Sequence, residues 1–312
     1  MTRILQIDGG GVRGIIPAII CAEIEQNVGR PINEIFDLIT GTSTGAVIGG
    51  SLAFGIAATT VRDLYLTAVP ELFKRRPLWN PKNWFREKYD RTEFQEQLRK
   101  YLGNQKMSQA KTKYMATAFN LSSQRTHFIK SWDDKDNRWN IVDVISWSAL
   151  SAAFYFGKIN VPNYNWTLTN AMSATEQKIG ATFQDGGQGI SNCTLGFDLD
   201  ECLANDWHDV FILSIGTGQR SMYIPYKKTA KTGYIAQVID YIFQARNEAT
   251  PTQFLTAKYV ANKREDYILS RLDANISKKQ EPLDSIKYVD EYEKIGNELA
   301  KKVPYQYLKS IV

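Results

Sequence analysis

The chain has 312 residues, of which 43% are hydrophobic and 12% aromatic, enough for a large core and contrary to a disordered or low-complexity protein. Its net charge of +5 equals that of a single stretch, Phe73 to Arg91, where Lys74, Arg75, Arg76, Lys82, Arg86, Lys88 and Arg91 stand against Glu87 and Asp90. The remainder is neutral, so charge gives no reason to expect nucleic acid as a partner.

The first apolar run, Ile4 to Ile7, reads as a buried strand and meets Asp8, three glycines, Val12, Arg13 and Gly14. Ile15 to Val28 repeats apolar residues at helical spacing and stops near Gly29, with Pro31 beyond. Phe36 to Thr40 is a second strand, and Ala46 to Phe54 a helix of small and apolar residues closed by Gly55. This alternation predicts a parallel sheet covered on both faces. Pro70 to Met107 breaks the pattern with prolines, basic residues, Trp79, Trp84 and Phe85, and predicts an insertion capping one end of the sheet. Tyr114 to Asn120 and Thr126 to Trp132 read as a hairpin around Ser122–Ser123, and Val142 to Ala153 as a small-residue helix. Gly180 to Gln184 reads as a short strand entering Asp185-Gly186-Gly187, and Val210 to Ile215 as a strand ending in Gly216-Thr217-Gly218. From Gly233 on, amphipathic helices predominate, with one strand at Asp266 to Arg271. We therefore expect one domain over 1–312, with a cap insertion at about 70–112 and a mainly helical part from about 233. Cys21, Cys193 and Cys202 show no C-x-x-C spacing and make no disulfide framework. No apolar run is long enough to span a membrane, so the expected place is the cytoplasm, with peripheral contact at a membrane surface left open.

Gly9, Gly11 and Gly14 fit G-x-G-x-x-G, a dinucleotide fingerprint. A dinucleotide site also needs an acidic residue at the end of the second strand. Here that strand runs into Gly41-Thr42-Ser43-Thr44-Gly45, Asp37 lies inside it, and no Gly-Lys-Ser/Thr follows to form a phosphate loop. Gly41-x-Ser43-x-Gly45 between strand and helix has the pattern of a nucleophile elbow. Serine must sit on a tight turn at an unfavourable backbone angle, with small neighbours that leave room for the turn.

A nucleophilic serine needs a base. Only two histidines exist: His127 falls inside a strand, and His208 lies in Asp206-Trp207-His208-Asp209, which reads as a strand-entry loop. A carboxylate is the alternative. Asp185 stands at a strand end before two glycines, where it serves either as that base or as part of a plain turn. In a parallel sheet the glycine loop, Ser43 and Asp185 share the carboxyl edge, where α/β sites form. The N–H groups of about Gly10 and Gly11 would then face a tetrahedral oxyanion, aided by the helix that starts near Ile15. A methyl group at Gly11 is expected to obstruct an approaching ester with little effect on stability.

These three motifs, in this order, resemble those of the patatin-like phospholipases, lipid acyl hydrolases that use a Ser–Asp dyad. Gly9-Gly10-Gly11-Val12-Arg13-Gly14 resembles the family's oxyanion loop, Gly41-Thr42-Ser43-Thr44-Gly45 its nucleophile elbow, and Asp185-Gly186-Gly187 its aspartate motif. Two further stretches are similar: Ile145 to Phe156, where Phe154 replaces a proline frequent in relatives, and Leu213 to Gly218. The resemblance spans about Leu5 to Gly218. It implies a three-layer α/β/α sandwich with a mainly parallel central sheet. It implies Ser43 as nucleophile, Asp185 as base, an oxyanion hole from Gly9, Gly10, Gly11 and Arg13, and support from Gly14, Gly41, Gly45, Gly186 and Gly187. It implies no cofactor and no metal, and no D-x-[DN]-x-[DN]-G calcium loop is present. Arg13 either fixes the glycine loop or supports the oxyanion or a lipid phosphate.

The expected substrate is a phospholipid or lysophospholipid, cleaved through an acyl-serine. The alternatives are an acyltransferase using the same intermediate, a nucleotide-activated membrane-degrading effector, and a non-catalytic lipid-binding protein. Lys74, Arg75, Arg76, Trp79, Lys82, Trp84 and Phe85 form either a solvated basic face or a membrane-interface patch, in which cations attract anionic headgroups and aromatics enter the headgroup layer.

Overall fold

The structure, a computed structural model, describes residues 1–73, 87–152, 155–169, 175–188, 191–220 and 250–312. The candidate membrane residues Lys74, Arg75, Arg76, Trp79, Lys82, Trp84 and Phe85 lie outside the described residues.

Strand β1 (Thr2–Ile7) leads through the glycine loop into α1 (Ile15–Val28). A single turn, α2 (Ile32–Ile35), returns the chain to β2 (Leu38–Gly41), and α3 (Thr44–Ala53) follows directly. Helix α1 stops at Gly29, whose φ of 80° is the left-handed cap a glycine supplies freely. It is apolar nearly all round because it lies between the sheet, α4 (Ala58–Leu72) and the helix Val289–Ala300. Helix α4 runs through Pro70 to Leu72, two residues past the expected start of the insertion, since a proline in the last turn removes only one backbone bond. Helix α5 (Arg91–Leu102) begins where Asp90 accepts the Thr92 N–H at 2.9 Å.

Strands β3 (Lys113–Asn120) and β4 (Arg125–Lys130) form the expected hairpin. Then come α6 (Ile141–Ala149), β5 (Ile159–Thr169), β6 (Thr175–Asp185), α7 (Leu195–Ala204), β7 (Val210–Ile215), a helix over 250–263 and β8 (Tyr267–Leu272). Hydrogen-bonded neighbours run β5-β6-β3-β2-β1-β7-β8, with β6 and β2 following one another along one edge of β3 and β4 on its other edge. The pairs β1–β2, β1–β7, β2–β3 and β7–β8 are parallel, and those involving β4, β5 and β6 are antiparallel.

Successive side chains of a strand face opposite ways, and β1 divides accordingly. Leu5 and Ile7 pack into one cluster with residues of α1, α3 and α6, while Ile4 packs on the other face with Leu38, Ile212 and α7 residues Leu195 and Leu199. Both faces are thus covered, and the fold is the α/β/α sandwich expected.

One expectation is corrected. Asp185 ends a strand that is antiparallel to the parallel set, and that strand is eleven residues long rather than a short piece from Gly180 to Gln184. Only its last part is buried, so its outer half carries no apolar signal.

Candidate active site

The chain leaves β2 at Gly41 and enters α3 at Thr44, with Ser43 between them at φ 55° and ψ −123°. Such a backbone costs about 1–3 kcal/mol and persists only where its surroundings hold it. They do so by close approach. A Cβ at Gly45 would stand 2.1 Å from the Ile7 carbonyl oxygen, and one at Gly41 2.3 Å from that of Gly45. Only glycine allows the elbow to press this tightly against β1. The Ser43 N–H donates to Ser148 Oγ of α6 at 3.2 Å. The Thr42 hydroxyl lies 2.7 Å from that of Thr117 and donates to the Ser191 carbonyl. Tyr65 of α4 bonds the Thr44 hydroxyl.

Asp185 reaches the elbow by a different route. Residues 115–120 of β3 pair with β4 along one edge. The other edge is therefore shared by β2, ending at Gly41 opposite Ala116, and β6, ending at Asp185 opposite Ala118. The two strands meet end to end, two residues apart along β3, or about 7 Å. The Gly187 N–H donates to Asp185 Oδ1 at 2.8 Å, and Gly186 closes on Thr117, whose hydroxyl would stand 2.0 Å from a Cβ there.

The glycine loop is held from three sides. Asp8, buried at the end of β1, takes a bond from Gln6 and an ion pair at 2.7 Å from Arg271 of β8, which also pairs with Asp273. Burial alone would lower the Arg271 pKa, but the two carboxylates outweigh it and hold the guanidinium charged. The Gly9 N–H donates to the Asn192 carbonyl at 3.2 Å, and its carbonyl accepts from Thr217 Oγ1 at 2.7 Å and Asn192 Nδ2 at 3.3 Å. Asn192 thus ties the glycine loop to the turn after Asp185. From the third side, residues Glu281–Ser285 strap the loop: the Val12 N–H donates to the Leu283 carbonyl at 2.8 Å.

Arg13 is buried behind the loop. Its Nη1 donates to the Glu281 carbonyl at 2.9 Å and its Nε to the Gly10 carbonyl at 3.3 Å, the geometry of a residue that fixes the loop. Gly14 lies against Thr44 and Tyr65. Among the described residues, the N–H groups of Gly10 and Gly11 donate to no protein acceptor, and Gly11, at φ 59°, lines the cleft beside Ser43.

Ser43 and Asp185 both open onto this cleft, whose lining is mostly apolar and includes Val47, Val69, Phe73, Leu150 and Leu283. Neither histidine lines it. His208 precedes Val210, which pairs with Thr2, so it sits at the opposite edge of the sheet from the elbow beside Ile7, a strand length of about 17 Å away. His127 pairs with Ala118 across from Asp185, but its ring packs against Tyr164, Trp166 and Phe183, and its Nε2 lies 2.9 Å from Ser123 Oγ. Burial pushes its pKa down to about 4.

The motifs marked Ser43, Asp185 and the glycines. Asn192, Ser148, Tyr65 and the strap belong to no motif, because their roles come from contacts across 21 to 268 residues of sequence. Asn192, seven residues after Asp185, had the nearest thing to a signal: an amide following a D-G-G turn.

A family model for patatin-like phospholipases matches residues 5–195. Patatin-like protein 4 of Arabidopsis thaliana is 26% identical over an alignment covering 100% of this chain and 84% of that protein. A cGAMP-activated phospholipase of Pseudomonas aeruginosa is 31% identical over 49% of this chain and 48% of its own length. The crystal structure of VipD from Legionella pneumophila is 13% identical, with a TM-score of 0.42 covering 96% of this chain and 67% of VipD.

Proposed function

The chain belongs to the patatin-like phospholipase family, a family of lipid acyl hydrolases, and on that premise we propose that it cleaves fatty-acyl esters of phospholipids or lysophospholipids through an acyl-Ser43 intermediate. The observation that carries this reading is the shared cleft. A serine on a strained elbow and a carboxylate on the facing strand end open together onto an apolar groove, beside N–H groups of Gly10 and Gly11 that donate to no described protein acceptor.

Asp185 takes the proton of Ser43 as Oγ attacks the ester carbonyl carbon. The carbonyl oxygen becomes an oxyanion facing the Gly10 and Gly11 N–H groups, each worth roughly 3 kcal/mol in the transition state. Collapse expels the alcohol, which leaves with the proton held by Asp185. Water then gives a proton to Asp185 and attacks the acyl carbon, the fatty acid departs, and Ser43 regains its hydrogen. In this reading Gly9 and Arg13 hold the loop in shape.

The test is mass spectrometry of products from phospholipid and lysophospholipid vesicles, wild type beside Ser43→Ala. Fatty acid should be released by wild type and fall to background in the variant; release that persists in the variant removes Ser43 from the mechanism. The Pseudomonas relative is named for activation by cGAMP, so one arm of the assay includes that nucleotide, and release only in that arm would add a regulatory requirement.

A further inference from the structure

One wall of the cleft runs along α4, away from Ser43. Tyr65, Val69 and Phe73 follow one another at intervals of four along α4 and its cap, and all three line the cleft, so they stand in one row. Tyr65 marks the reacting end, where its hydroxyl bonds Thr44, the neighbour of Ser43. Phe73 lies eight residues further, about 12 Å along the helix axis. There it meets Phe94 of α5 edge-on at a centroid separation of 5.4 Å and Tyr89 edge-on at 5.2 Å. Phe94 in turn meets Phe156 edge-on at 5.1 Å. Phe73 and Phe156 are buried, and the rings interlock in the arrangement aromatic pairs prefer. Val47, Val69 and Leu150 supply aliphatic wall.

We propose that the Phe73, Phe94 and Phe156 cluster is the end stop of an acyl-chain pocket, and that the protein selects acyl chains of medium length over long ones. The proposal rests on the reading of Ser43 as the acylated residue. A run of about 12 Å accommodates an extended chain of roughly ten carbons. Up to that length each added methylene finds apolar wall and raises affinity about fourfold. Beyond it a further carbon must bend out of the cleft or displace rings packed as closely as a crystal.

The experiment is a chain-length series of p-nitrophenyl acyl esters, from four to sixteen carbons, below their aggregation limits. Wild-type kcat/KM should climb to about ten carbons and then fall. Phe94→Ala should move the maximum upward by several carbons and raise the ratio of the sixteen- to the eight-carbon rate at least about tenfold. Phe94→Leu, closer in volume and gentler on the fold, should move it the same way by less. An unchanged profile in both folded variants overturns the end stop. A parallel series measures binding of free fatty acids of the same lengths to Ser43→Ala and to Ser43→Ala with Phe94→Ala. A drop in affinity past ten carbons that the second substitution removes upholds the end stop even if wild type hydrolyses no ester, an outcome that would sink the hydrolase reading alone. Equal length dependence in the two proteins overturns the end stop whatever the hydrolysis result.

Discussion

Two regions meet at the glycine loop and were written into the sequence very differently. The three motif loops, Asp8–Gly14, Gly41–Gly45 and Asp185–Gly187, carry residue types that their own backbone shapes demand. The strap Glu281–Ser285 has a turn proline of its own, Pro282, but no residue type that its contact with the loop demands. At Gly45 a Cβ would stand 2.1 Å from a carbonyl oxygen, so any other residue breaks the elbow, and the sequence records the demand as glycine. The strap touches the loop through the main-chain carbonyls of Glu281 and Leu283, which bond Arg13 and the Val12 N–H. Every residue type offers a carbonyl, so this contact leaves no mark. A motif search therefore finds the chemistry and overlooks part of the frame that holds it.

The sharpest way to break the motif side is at Asp185. Asp185→Asn keeps the shape and still accepts the Gly187 N–H, but it removes the base, and turnover should fall by about two to four orders of magnitude. Circular dichroism and thermal melting should be close to wild type. His208→Ala, at the opposite edge of the sheet, should keep most of the activity, as should His127→Gln if it folds. A well-folded histidine variant that loses turnover as Asp185→Asn does would show that the base is misassigned.

Gly11 lies where the two regions touch, and it corrects an expectation drawn from the sequence alone. The sequence alone predicts that a methyl there obstructs substrate with little effect on stability. The structure places a Gly11 Cβ 2.2 Å from the Leu283 carbonyl oxygen, on a residue at φ 59°. Gly11→Ala therefore strains its own backbone by about 1–2 kcal/mol and pushes the strap outward as well. Alanine keeps its N–H but the shifted loop aims it away from the oxyanion, so turnover should fall by about a hundredfold, as when one oxyanion donor is removed, and the melting temperature should fall with it. A melt identical to wild type would mean that the strap yields freely and does not hold the loop.

Legibility followed the same division through the rest of the molecule. β1, α1, β2 and α3 were readable because a buried strand, an apolar helix with a glycine cap and a small-residue elbow each leave a local pattern. The β5–β6 hairpin was not. The outer half of β6 is exposed or half-exposed, as at Ile179, so no alternation of apolar residues announces that part. Consequently the antiparallel approach of Asp185 stayed hidden, although Asp185 itself stood out by its glycines. Arg13 shows the limit in another way. Its charge fits a loop clamp as well as an oxyanion or a phosphate, and only the Glu281 carbonyl, 268 residues away, favours the clamp.

The smallest effect is expected on the strap itself, at Asp284. Its side chain is nearly buried, pairs with Lys88, and accepts the Tyr89 hydroxyl at 2.5 Å. These contacts join the start of α5 to the strap, and the neighbouring Leu283 joins the strap to Val12. Asp284→Ala removes the acceptor but leaves the Lys88 ammonium partly exposed, so water can take it up and the loss stays near that of one or two hydrogen bonds, about 1–3 kcal/mol. In a chain of this size that corresponds to a drop in melting temperature of several degrees at most. Because the strap backbone can still reach Val12, turnover should fall less than tenfold, well short of the Gly11→Ala loss. Asp284→Asn, which retains an acceptor for Tyr89, should recover part of both. The measurement is a thermal melt beside kcat for the two variants. A turnover loss as large as that of Gly11→Ala, with the melt unchanged, would place Asp284 in the chemistry and not in the frame.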